Sequence, residues 1–157
     1  LLDAISNDDV RHLFAYLTSD VAKNGPPAAK KLKVCLVSGS LEYKSDESLT
    51  AFQGELEKAG YEVVKAFRKT DADLPGLDQL GSCDVAVFFT RRLTPTDEQL
   101  AHVKKYVASG KPVVGVRTAS HGFQKYLDMD AEVFGGSYKG HWSHNVPAAV
   151  KVVDAAK

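Results

Sequence analysis

Three short runs of nearly unbroken apolar residues constrain this chain most: VCLV at 34–37, VAVFF at 85–89 and VVGV at 113–116. A strand that alternates apolar and polar residues has one wet face. A strand without alternation is buried on both faces, as in a parallel sheet covered by helices. Each run ends in a polar turn, and helical spacing follows the first two. The segment 45–60, SDESLTAFQGELEKAG, places Leu49, Phe52 and Leu56 inward, with Ser45 as N-cap and Gly60 as stop. The segment 93–110 is the clearest helix, with Thr94 as cap, Pro95 at the first position, acids in the first turn and Gly110 at the end. YEVVKAFR at 61–68 reads as a further strand, SHGFQKYL as a short helix capped by Ser120, and AAVKVVDAA as a last strand. Alternating strands and helices with short loops define an α/β, three-layer, doubly wound and mostly parallel sheet, flavodoxin-like in strand order.

Ahead of this pattern stands a different one. Residues 1–20 form an amphipathic helix pattern with an apolar stripe through Val10, Leu13, Phe14 and Leu17. Residues 21–31 have linker composition, and the α/β domain spans 32–157. Twenty basic and 20 acidic residues balance, so charge points to no nucleic-acid or membrane partner. No apolar run approaches the ~20 residues that span a bilayer. Cys35 and Cys83 fall in or beside strand interiors without a CxxC or metal-type spacing, and read as buried small hydrophobes.

In open parallel sheets, ligands bind beyond the carboxyl ends of the strands where the strand order reverses. For the order 2-1-3-4 that point lies between strands 1 and 3. Three polar loops should meet there: SGSLEYK with Ser38, Ser40, Glu42, Tyr43 and Lys44; TRRLT with Arg91 and Arg92; and RTASH with Arg117, Thr118, Ser120 and His121. The arginines and Lys44 would make this rim positive within a neutral chain. Guanidinium forks suit carboxylates, phosphates and vicinal hydroxyls, so an anionic or polyhydroxylated ligand fits. A helix beginning at Ser120 would add backbone donors. The bland reading has the arginines pairing with surface carboxylates. Neither GxGxxG nor GxxxxGK[ST] is present, so no nucleotide cofactor is indicated.

The glycine-rich segment FGGSYKGHWSH brings Tyr138, His141, Trp142 and His144. His121 or His141 could move protons, as imidazole does near neutrality. Tyr138 and Trp142 could stack on a sugar face or merely plug the core. Histidines here could ring an ion with His121 or Glu42, but no two-His helical motif supports this, and no metal is expected.

LKVCLVSGSLEYKSDESL, the long block DVAVFFTRRLTPTDEQLAHVKKYVASGKPVVGVRTASHGFQ and EVFGGSYKGHW together resemble the trehalose-utilisation (ThuA-like) domain family, which has the class I glutamine-amidotransferase-like fold. The resemblance implies a domain of carbohydrate metabolism that binds or transforms a sugar or keto-sugar, with His121, His141 and Glu42 as the catalytic candidates. It also implies that similar domains continue past the last strand here. The expectation is therefore an incomplete domain whose edge needs more chain or a partner, including a homo-oligomer. In the amidotransferases the turn after the strand equivalent to VVGV at 113–116 carries a cysteine. Arg117 or Thr118 stands there in this chain, so glutamine hydrolysis is not expected. The first helix resembles the end of a c-type cytochrome domain, without its CxxCH. That implies haem c in a preceding domain of a longer parent, a redox partner domain, and export to the periplasm. The alternatives are a private N-terminal helix, a cytoplasmic location, and a non-catalytic module binding carbohydrate or a partner.

Overall fold

The computed structural model describes residues 31–140. The expected helix over 1–20, nearly all of the linker, the strand at 148–156, and His141, Trp142 and His144 lie outside the described residues. Strands β1 (Lys33–Gly39), β2 (Glu62–Phe67), β3 (Val85–Thr90) and β4 (Val113–Gly115) form one parallel sheet in the order β2-β1-β3-β4. Helices α1 (Ser45–Lys58), α2 (Asp97–Ala108) and α3 (Met129–Phe134) join them, with three 3-10 turns among the described residues. The chain is α/β and flavodoxin-like, as the apolar runs require.

The pleat of β1 divides the core. Val34 and Leu36 point to one face and join Val87, Phe89 and Leu49 of α1. Cys35 and Val37 point to the other and join Phe88, Leu100, Val103 and Tyr106 of α2, and Met129 of α3. Helices therefore cover both faces, giving three layers. Each fully buried side chain of this size contributes roughly 1.5–3 kcal/mol. In register, Gly39 sits opposite Thr90 and Phe88 opposite Gly115, so β1, β3 and β4 discharge their loops at one rim. Among the described residues no helix is long and apolar enough to cross a membrane.

Four local expectations are corrected. Ser45 is not a cap; it is the first residue of α1, and Lys44 precedes it in left-handed backbone. A 3-10 turn at Leu41–Tyr43 makes this possible, with Tyr43 N and Ser45 N both donating to Ser40 O. Phe52 does not face inward: it is 44% exposed, because the stripe meeting the sheet runs through Leu49 and Leu56. Helix α2 is capped by Thr96, whose hydroxyl accepts from Gln99 N, while Thr94 N is drawn away to Asp71 O at 2.7 Å.

The helix expected at Ser120 is absent. A 3-10 turn, Arg117–His121, stands there, and the next residues pair with the β3 exit instead. Arg92 N donates to His121 O, Leu93 N to Gly122 O, and Gln124 N to Leu93 O. These bonds take the carbonyls a helix would need, so the proposed helix-end donors do not exist.

Tyr106 closes the layer beside β4. Its hydroxyl donates to Pro112 O at 3.0 Å, and burial, then charge on Cys83, Cys35 and Asp84, pushes the phenol up from 10.0 to about 12. The folded state thus favours the neutral phenol. That stabilisation is complete below pH 10 and disappears as pH rises through 12. Thermal melts of the Tyr106→Phe variant should lose stability less steeply than wild type across that window.

Candidate functional site

A chain of buried hydroxyls ties the rim together. Ser45 Oγ lies 2.8 Å from Ser38 Oγ and accepts from Ser40 N at 2.8 Å. Ser40 Oγ lies 3.3 Å from Thr118 Oγ1, which donates to Thr90 O at 2.8 Å. The exits of β1, β3 and β4 are thereby linked through side chains that are all buried. Ser38 and Ser40 line only a small recess of about 130 Å³ with Ser45 and Arg68. Thr118 is spent on the links between loops.

The non-glycine residues with positive φ among the described residues are Lys44 (49°), Arg92 (51°) and Arg117 (51°). One stands on each of the three exit loops, and all three are cationic. Such backbone costs an L-residue roughly 1–2 kcal/mol, so the surrounding loops must hold it. At Arg117 the left-handed residue opens the 3-10 turn that follows β4. Here it carries a guanidinium, whose carbon sits 3.7 Å from the Tyr43 ring centroid. Arg117 and Tyr43 therefore clasp the β4 and β1 loops to each other. Lys44 makes an exposed pair with Glu47, worth little.

Two clefts open on this rim. The larger, about 510 Å³, is bounded by Arg92, Ser120, His121, Asp128, Tyr138 and Lys139. The His121 and Tyr138 rings stack at 4.3 Å between centroids with planes 13° apart. Ser120 Oγ lies 3.1 Å from His121 Nδ1. Buried Asp130 fixes the opposite lip: its Oδ2 accepts from Tyr138 N at 2.7 Å, and its carbonyl accepts from Gly136 N. A side chain at Gly136 would collide with that carboxylate. The smaller crevice, about 310 Å³, lies over β1 and β3 between Gly39, Glu42, Arg68, Asp71, Arg91 and Arg92.

Arg91, Glu42 and Arg92 thus gather at one crevice, and His121, Ser120 and Tyr138 at the neighbouring cleft. Glu42 pairs with Arg91 at 2.9 Å, so this catalytic candidate is neutralised by a cation at a different cleft from His121. Arg91 follows the bland expectation of an ion pair, on the rim nonetheless. Arg68, Asp128, Asp130 and Lys139 escaped the sequence reading. Arg68 had a legible signal, since it directly follows β2 and must emerge at the same rim. The acids of α3 gave no such signal.

Thiol chemistry finds no place here. Cys35 and Cys83 are buried and free, and burial, then the neighbouring Cys83, drives the Cys35 thiol well up. Among the described residues no group of three or more His, Cys, Asp or Glu could hold a metal ion. Comparison with known proteins finds no matching family model, no matching curated protein and no matching solved structure.

Two substitutions probe this architecture. Ser45→Ala orphans Ser40 N in a buried setting and should cost about 1–3 kcal/mol in urea unfolding. Glycine adopts positive φ freely, so Arg117→Gly should be more stable than Arg117→Ala by roughly 1–2 kcal/mol. Equal stabilities would contradict the strained turn.

Proposed function

We propose that this chain is a carbohydrate-handling domain of the ThuA-like kind that binds a sugar or keto-sugar in the His121–Tyr138 cleft. The stacked pair of rings carries the reading. Tyr138, partly exposed, lines the cleft beside Arg92, Ser120 and Asp128, and a sugar presents this combination in reverse: a C–H face rimmed by hydroxyls. An aromatic face of this kind suits such a face of the ligand, while the charged and hydroxyl groups set its orientation. The cleft volume also lies within the range of small-molecule sites.

His121 supplies the proton-carrying group at this surface, with Ser120 beside Nδ1 to orient the ring. Arg92 would bind a carbonyl or hydroxyl oxygen. The chemistry in reach is acid–base work on a bound sugar. Amidotransfer is not in reach, because the strained position after β4 holds Arg117 and no thiol.

The test is a titration of the full-length protein with mono- and oligosaccharides, including oxidised sugars. At least one should bind, and Tyr138→Ala should weaken it about 10-fold, as loss of a stacking wall does. Slow turnover that His121→Asn abolishes, with affinity kept, would mark an enzyme. Binding unchanged in Tyr138→Ala, or no binding by any sugar, would refute the proposal.

A further inference from the structure

The second crevice is not explained by a neutral sugar. Its wall carries three guanidinium groups, from the exits of β2 and β3, against two carboxylates. Arg68 Nε donates to Asp71 Oδ1 at 2.7 Å, and Arg91 Nη2 forms an ion pair with Glu42 Oε2 at 2.9 Å. Each of those bonds leaves further donors of the same fork unspent. Asp71 and Glu42 are both well exposed, so the pairs contribute little to stability and do not account for the cluster. Arg92 makes no ion pair or side-chain hydrogen bond among the described residues, and it stands in left-handed backbone, at φ 51°. Among the described residues the crevice therefore keeps an excess of one positive charge, on a residue whose backbone the loop holds. Arg92 also lines the His121–Tyr138 cleft, so the two spaces share a wall.

From this juxtaposition we propose that the Arg68–Arg91–Arg92 crevice is an anion subsite, and that the ligand is an acidic sugar whose carboxylate or phosphate enters it while the ring lies on the His121–Tyr138 stack. Guanidinium forks bind planar carboxylates and phosphates through paired N–H donors. Glu42 and Asp71 act as internal anions that hold the forks until the ligand's group displaces or joins them. The proposal rests on the sugar reading of the larger cleft, but its own content is the charge of the ligand.

The full-length protein is titrated calorimetrically with glucose, gluconate, glucuronate, glucose 6-phosphate and inorganic phosphate, at low and high salt. An acidic sugar should bind about 10-fold or more tightly than glucose, as one charge-assisted contact provides, and salt should erode the difference. Whether the sugar acids or the phosphate ester lead identifies which anionic group the crevice takes. Arg68→Gln lies outside the larger cleft and should remove most of the preference while glucose affinity stays unchanged. Glu42→Gln removes a competing carboxylate and should tighten acidic ligands several-fold, a gain that misfolding cannot imitate. Equal affinity for glucose and its acids, or a preference untouched by both variants, overturns the anion subsite and leaves the sugar reading standing. If no sugar binds but inorganic phosphate shifts the arginine Nε–H resonances, the subsite stands and the sugar reading falls. Silence from phosphate as well removes both.

Discussion

The rim depends on hydroxyl groups satisfied by one another where water is excluded. A buried donor or acceptor without a partner costs about 1–3 kcal/mol, so a set that closes on itself holds its members firmly. Ser45 is the hub, because its oxygen serves both Ser38 and Ser40 at 2.8 Å. Thr118 extends the set to β3 through Thr90 O. Three loops that begin on separate strands are thereby joined into one body. The limit of the set is Thr90 Oγ1, which has no partner among the described residues and is packed against Gly122.

Strain and charge coincide on that body. Turns with positive φ normally recruit glycine or asparagine. Here Lys44, Arg92 and Arg117 occupy them, one per loop. A chain selected only for stability would place smaller residues there. Cationic side chains at strained positions single out the rim as the place where local backbone preference is overridden. Arg92 stands apart in this, since its backbone is fixed by the pairing of Arg92 N with His121 O while the residue lines two cavities.

The fold was legible because burial on two faces leaves an unambiguous pattern. VCLV and VAVFF admit no alternation, and the spacing between them leaves room for a crossover helix and a further strand. Helix ends were less legible where distant backbone decided them. Thr94 has the chemistry of a cap, but Asp71 O captures its N–H, and the cap falls to Thr96. The missing helix at Ser120 has the same origin, since the β3 exit claims His121 and Gly122 through main-chain bonds that no local pattern encodes. At the site, the loops carrying the arginines could be named in advance, whereas the partners of individual side chains could not. Glu42 faces Arg91 and not His121, and Arg117 faces Tyr43, because loop paths set those pairings.

The clasp between Arg117 and Tyr43 also bears on the conditions under which the rim keeps its shape. A thiol at this turn would make the junction hostage to oxidants and to its own ionisation. A guanidinium keeps its charge across the pH range proteins tolerate and has no redox chemistry of its own. The phenol face it rests on attracts it through a fixed ring quadrupole. The loops after β1 and β4 are thus fastened by a contact with no bond that an oxidant or a reductant could make or break.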